Sequence, residues 1–197
     1  MKHPATRMLF SYWDALRGER AAPERGEIEP GEIRHVLADA FILELDEGRE
    51  AHFRLAGTRM CALFGRELRD TRLVELWPER ARHDVRRNLD IVVDETAGIV
   101  SGLVGATNEG ETVDLELVIL PLRHRGRTNA RALGCLSARI VPTWIGFHPV
   151  TALTTVSMRV VWPSGRPLEE VRPPLDAVER RRRFVVHEGG RARVPCP

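Results

Sequence analysis

The chain has 197 residues, of which 43% are hydrophobic, 29% charged and 6% aromatic, with a formal net charge of +2. That is enough apolar material for one domain with a good core and too much for a disordered chain, and no run of about 18 apolar residues offers a membrane span. The three cysteines, Cys61, Cys135 and Cys196, are odd in number and widely spaced, so they read as reduced thiols in a cytoplasm, not as a disulfide framework or a zinc site. The N-terminus lacks the apolar stretch of a secretory signal.

Charge is unevenly placed. Lys2 is the only lysine, and the other 29 basic residues are arginines. Residues 88–122 hold no basic residue and seven acids, whereas residues 123–197 hold 14 basic residues against five acids. Such blocks either offer complementary surfaces to a partner or second copy, or neutralise each other within one chain. The run Arg180-Arg181-Arg182-Arg183 has no interleaved aromatics and no accompanying nucleic-acid motif. It reads as a solvated tail, and nucleic acid is not an expected partner.

In chain order, residues 6–18 predict an amphipathic helix, with Leu9, Tyr12, Trp13 and Leu16 forming one apolar stripe and Gly18 at the C-cap. A polar linker, Glu19 to Glu29, follows. Pro30, Ile33, Val36 and Leu37 have the spacing of a second helix. Residues 41–45 and 51–56 predict a hairpin, with Phe41, Leu43 and Leu45 on one face and turn chemistry at Asp46-Glu47-Gly48-Arg49. Thr58 is placed to cap a short helix closed by Gly65. After an irregular segment, Pro78 starts the longest helix, 79–94, with Ala81, Val85, Leu89, Val92 and Val93 at helical spacing. Strands are predicted over 99–107, 112–120, 132–141 and 150–161, the first three joined by hairpin loops at Asn108-Glu109-Gly110 and Arg125-Gly126-Arg127. The order is not alternating βαβ, which disfavours a parallel sheet. It predicts an α+β fold: a five-stranded antiparallel sheet with helices on one face, preceded by the amphipathic helix.

Several segments carry a family resemblance. Tyr12-Trp13-Asp14-Ala15-Leu16-Arg17, Pro23-Glu24-Arg25 and Ile28-Glu29-Pro30-Gly31-Glu32-Ile33 resemble the opening of a family of bacterial single-PAS-domain proteins. Phe53-Arg54-Leu55-Ala56-Gly57-Thr58 and Phe64-Gly65-Arg66-Glu67-Leu68 resemble its central signature, and Glu116 to Leu122 with Trp144-Ile145-Gly146 its later strands. Asp70 stands where the pattern has a glycine. The resemblance covers roughly residues 8–162 and divides the chain into a helix and linker (1–29), a PAS-like domain (30–163) and a Pro/Arg-rich tail (164–197). It implies a cytoplasmic, stand-alone regulatory domain in signal transduction that acts through another signalling protein and senses a small apolar or amphipathic ligand of unknown identity.

A PAS-type cavity between sheet and helices takes Leu63, Phe64, Leu73, Trp77, Leu89 and Val93 as candidate wall residues, with inward residues of the later strands; the alternative is that they form a filled core with no ligand. Leu9, Tyr12, Trp13 and Leu16 are candidates for a homodimer or partner interface, or else cap the sheet of their own chain. No cofactor is assigned and no metal site is expected. His83, the best axial haem donor, has charged neighbours at helical spacing, and Cys61 lacks the sequence context of a flavin-reactive thiol. The rival reading is a small cone-shaped α+β isomerase or hydrolase with a buried carboxylate base. Asp114 and Glu116 share one strand face and look solubilising, and His124 and His148 have no Asp or Cys partner nearby in sequence, so no catalytic residue is named and the chain is read as a non-enzyme.

Overall fold

The computed structural model describes residues 1–162. The tail from Pro163 onward, with the arginine run and Cys196, lies outside the described residues. Helix α1 (Pro4–Arg17) leads through a 3-10 turn at Arg25–Glu27 to β1 (Ala40–Leu45) and β2 (Ala51–Ala56). Next come α2 (Thr58–Phe64), a 3-10 turn at Leu73–Leu76 and α3 (Glu79–Asp94). Strands β3 (Gly98–Thr107), β4 (Thr112–His124), β5 (Arg127–Ala138) and β6 (Val150–Val161) complete the described chain.

All strand pairs are antiparallel, in the order β2-β1-β5-β4-β3-β6. The sheet therefore has six strands, not five. The segment at 150–161 joins it as an edge beside β3, so the chain crosses from the sheet's centre to its rim after β5.

Alternation builds two cores. Phe41, Leu43, Phe53, Leu115 and Leu117 point to one face and pack beneath α2, the second 3-10 turn and α3. Ile42, Val118, Leu120, Leu133 and Cys135 point to the other and pack beneath α1 with Ala22, Ile28, Ile33 and Val36. Helices thus cover both faces, with the inserted helices on one side and the N-terminal helix on the other.

Local chemistry explains most boundaries. Pro78 occupies the N-cap of α3, and Val85, Leu89, Val92 and Val93 form its buried stripe. In the β1–β2 hairpin, Asp46 Oδ1 accepts the Glu50 N–H at 2.9 Å. β4 continues four residues past the expected end, through Pro121. That proline is tolerated because β3 pairs with β4 only as far as Ile119, so no ladder donor is missing.

Two expectations are corrected. Residues 30–39 form successive turns instead of a helix, with Glu32, Val36 and Asp39 N–H groups donating three residues back. Ile33 and Val36, three apart, are buried, whereas Leu37, which a helix would bring round to Ile33, stays exposed. Thr58 does not cap α2: Gly57 is the N-cap, and no side chain bonds there.

Gly57 is required by close approach. A Cβ there would lie 2.3 Å from the carbonyl oxygens of both Leu37 and Ala38. Gly134 is similar, because a Cβ would come within 2.1 Å of the Phe41 ring, which packs edge-on against Phe53 with centroids 5.4 Å apart. Overpacking of this kind costs about 1–3 kcal/mol when side chains can shift and more against backbone. Gly134→Ala is expected to lower the melting temperature measurably in a thermal melt, and Gly57→Ala, which meets fixed carbonyls, to lower it further.

Candidate functional site

The interior beneath α3 is filled. Leu63, Phe64, Leu73, Trp77 and Leu89 are buried in one cluster, and Val93 is buried as well. A cavity of about 10 Å³ lies among the described residues there, lined by Leu73, Trp77 and Leu89 together with Val85, Asn88, Ile99, Ser101, Leu117, Ile119 and Thr155. That holds roughly one water molecule. Leu63, Phe64 and Val93 do not reach it.

Three polar liners, Asn88, Ser101 and Thr155, had not been identified from the sequence. Each carried a parity signal: Asn88 is three residues after Val85 on α3, Ser101 two before Leu103, and Thr155 two after Leu153. Trp77 Nε1 donates to Thr155 Oγ1 at 3.0 Å, linking the segment before α3 to the edge strand. No carboxylate lines the cavity. Asp39, whose side chain is 5% exposed, pairs with Arg59 instead. His83 is exposed. Cys61 is half-buried, and burial pushes its thiol pKa up, with Glu67 adding to the rise. Burial likewise raises the Cys135 thiol, to about 12.

The opposite face is organised by α1. Leu9 and Trp13 are fully buried against their own sheet, with Leu16 and Tyr12 partly buried beside them. Of the candidate interface stripe, Leu9 and Trp13 are thus withdrawn from the surface and Tyr12 and Leu16 are partly accessible. Trp13 Nε1 donates to Pro121 O at 2.8 Å, and Arg17 lies over the Trp13 ring at 5.7 Å. The Tyr12 hydroxyl accepts the Glu29 N–H at 2.8 Å, tying the linker to the helix.

Glu116 is the functional surprise of this face. It shares a strand side with Asp114, as its spacing implies, but only Asp114 is exposed. Glu116 Oε2 accepts the Lys2 N–H at 2.7 Å, and Oε1 accepts the His3 N–H at 3.0 Å and the Thr6 hydroxyl. A carboxylate thus meets the unpaired donors at the start of α1. Burial opposes the charged form, yet the hydrogen bonds from Thr6, Lys2 and His3 outweigh it and hold the Glu116 pKa below the usual carboxylate range.

The charge blocks neutralise partly within the chain. Asp90 and Asp94 both pair with Arg49, Glu24 with Arg123, and Glu44 with Arg131. His148, which has no Asp or Cys partner nearby in sequence, lies 2.6 Å from the sequence-distant Glu111 through Nδ1. No described helix is long and apolar enough to cross a membrane.

Comparison with known proteins follows this geometry. The sequence profile of a family described as PAS domain matches residues 1–137, which includes α1 and stops short of β6. No curated protein matches. Among solved structures, the chain is similar to a LOV protein of Rhodobacter sphaeroides, at 14% identity and TM-score 0.43, covering 54% of this chain and 64% of that one. It thus spans less than two thirds of that protein's length. It is also similar to the PAS domain of a LuxR-family transcriptional regulator from Burkholderia thailandensis, in complex with ethanol, at 13% identity and TM-score 0.41, covering 57% and 98%. A PAS domain from Colwellia psychrerythraea gives 12% identity and TM-score 0.41, covering 56% and 97%.

Removing the α1 anchors separates their roles. Trp13→Ala is expected to cost about 3–5 kcal/mol of stability in urea unfolding. Glu116→Gln is expected to cost only about 1–2 kcal/mol near neutral pH. Because the folded pKa of Glu116 is lowered, its contribution is fully present above the unfolded value of about 4.3 and is lost as pH falls through the folded value. Melting temperatures of wild type and Glu116→Gln should therefore converge on acidification. A constant gap would refute the assignment.

Proposed function

Because the chain belongs to the PAS domain family, whose role is sensory and regulatory signalling, we propose that it is a regulatory domain acting in the cytoplasm through contact with another signalling protein, gated by a small apolar or amphipathic ligand at the cavity beneath α3. The observation that carries this reading is the two-faced construction of β3 and β4. Ile99, Ser101, Leu117 and Ile119 line the cavity, and the intervening Val100, Val118 and Leu120 belong to the core that α1 covers. Side chains one residue apart thus report opposite faces of the sheet.

A ligand larger than one water must displace cavity side chains. That shifts β3 and β4, and with them the surface on which Leu9 and Trp13 rest. The mechanism is a population shift between docked and loosened α1, the loosened form exposing apolar sheet to a partner or a second copy. The cavity lining holds Asn88, Ser101 and Thr155 as its polar groups and no acid, which supports sensing over proton-transfer catalysis.

Native mass spectrometry of freshly purified chain reads copy number and any retained small molecule together. Coupling is tested by enlarging the cavity with Leu117→Ala, or with the milder Ile99→Val. Amide hydrogen exchange is expected to quicken in α1 more than in the β1–β2 hairpin, and benzene, filling the new space, to slow it again. Equal quickening in both places would defeat the coupling.

A further inference from the structure

The β3–β4 hairpin and the β5–β6 connection meet at one corner of the chain. Glu109 and Glu111 flank Gly110 in the hairpin turn, where Gly110 takes a φ of 91° and the Thr107 N–H closes onto Glu111 O at 3.0 Å. His148 arrives from the other segment, 2.6 Å from Glu111 Oε1. One ligand atom from each of Glu109, Glu111 and His148 lies within 4.8 Å of the other two. The second Glu111 oxygen accepts the Thr107 hydroxyl at 2.7 Å, which fixes the carboxylate's direction.

Two acids elsewhere in the same basic-free segment, Asp90 and Asp94, pair with Arg49. Among the described residues the ion pairs bring no arginine or lysine to Glu109 or Glu111, and the only cation-forming group there is His148. Two carboxylates and an imidazole nitrogen converge there.

We propose that Glu109, Glu111 and His148 bind one zinc-like divalent transition cation, through two carboxylate oxygens and one imidazole nitrogen, with a fourth position open to water or a partner's side chain. Ligands about 2.1 Å from a tetrahedral ion sit roughly 3.4 Å apart. That lies between the 2.6 Å of the Glu111–His148 pair and the 4.8 Å limit of the trio, a span that rotation of partly exposed side chains covers. The imidazole selects a transition ion over calcium or magnesium, which take all-oxygen sets.

Such an ion clips the hairpin to the segment that touches the sensory core from outside. The His148 N–H donates to Trp144 O at 3.1 Å, and Trp144 and Ile145 pack against the core beneath α2 and α3. Pro149 abuts Gly65 at the end of α2, where an added Cβ would lie 2.9 Å from the proline Cβ. The site goes beyond the signalling reading and stands or falls without it.

The test uses the full chain, stripped with EDTA, dialysed, and titrated with Zn²⁺ by calorimetry and with Co²⁺ by visible absorption. One equivalent per chain, a raised melting temperature and a low-coordinate Co²⁺ spectrum are expected, with Ca²⁺ and Mg²⁺ giving no comparable effect. His148→Ala and Glu109→Gln should each weaken Zn²⁺ binding at least about tenfold. Glu109 is exposed, so Glu109→Gln should leave the metal-free melting temperature unchanged and separate a lost ligand from a lost fold. Wild-type affinity in either variant would place the ion elsewhere, on Cys61, His187 or Cys196 for instance, and overturn the proposal. Absence of saturable Zn²⁺ binding below millimolar concentration would overturn it too.

Discussion

β4 sends Val113, Leu115, Leu117 and Ile119 into one core and Val118, Leu120 and Leu122 into the other. It lies between β3 and β5 and is buried on both faces along most of its length. A one-residue slip would exchange the two sets and disrupt both cores at once, so its register is strongly specified. The inserted helices and the N-terminal helix are consequently positioned by the same strand. Neither layer can move far without a change in the side chains that the other layer touches.

Magnitudes decide what holds α1. Leu9 and Trp13 are fully buried, and burying side chains of this size stabilises by several kcal/mol in sum. The Glu116 anchor is a set of charge-assisted hydrogen bonds at a partly exposed site, worth about 1–2 kcal/mol after solvent competition. Apolar burial therefore keeps the helix on the sheet. The carboxylate sets its position along the sheet, because it accepts only at the helix's first turn. Trp13 supplies a second fixed point through the Pro121 carbonyl.

Local chemistry was readable from sequence wherever one segment settles its own structure. The bounds of α3, 79–94, follow from Pro78 and the apolar period, and the β1–β2 hairpin follows from alternation around Asp46-Glu47-Gly48-Arg49. Residues 30–39 misled because Ile33, Val36 and Leu37 fit a helical spacing, while burial selects only the three-residue pair. The sixth strand was visible as a strand but not as a member of the sheet, since its place beside β3 depends on a crossing that no local signal encodes. Glu116 and His148 were opaque for the same reason. Their partners, Lys2 and Thr6 in one case and Glu111 in the other, lie 37 to 114 residues away. Of the candidate wall residues, Leu73, Trp77 and Leu89 line the cavity, Leu89 on the helical stripe of α3 and the other two in an irregular apolar segment. Buried Ser101, half-buried Asn88 and exposed Thr155 also line it, and their polarity gives no sign of that until a neighbour's parity is considered.

The size of the cavity bears on how a sensor of this shape would work. A large preformed pocket binds its ligand without moving the walls, and such binding carries little information to a distant surface. At about 10 Å³, this interior admits no ligand beyond a water unless side chains give way. Binding and rearrangement are then one event, and the apparent affinity falls by the fraction of time the chain spends open. On the proposed reading the same requirement would make a response efficient, because a ligand would favour only the opened arrangement and have no competing mode in the closed one. The Trp77–Thr155 hydrogen bond sits where that opening would begin, between the segment entering α3 and a strand exposed along its outer half. Edge strands lose order more readily than central ones. Opening from the β6 side draws on Val150 and Leu153 of one core and reaches β4 only through β3, whereas opening through β4 itself disrupts both cores at once.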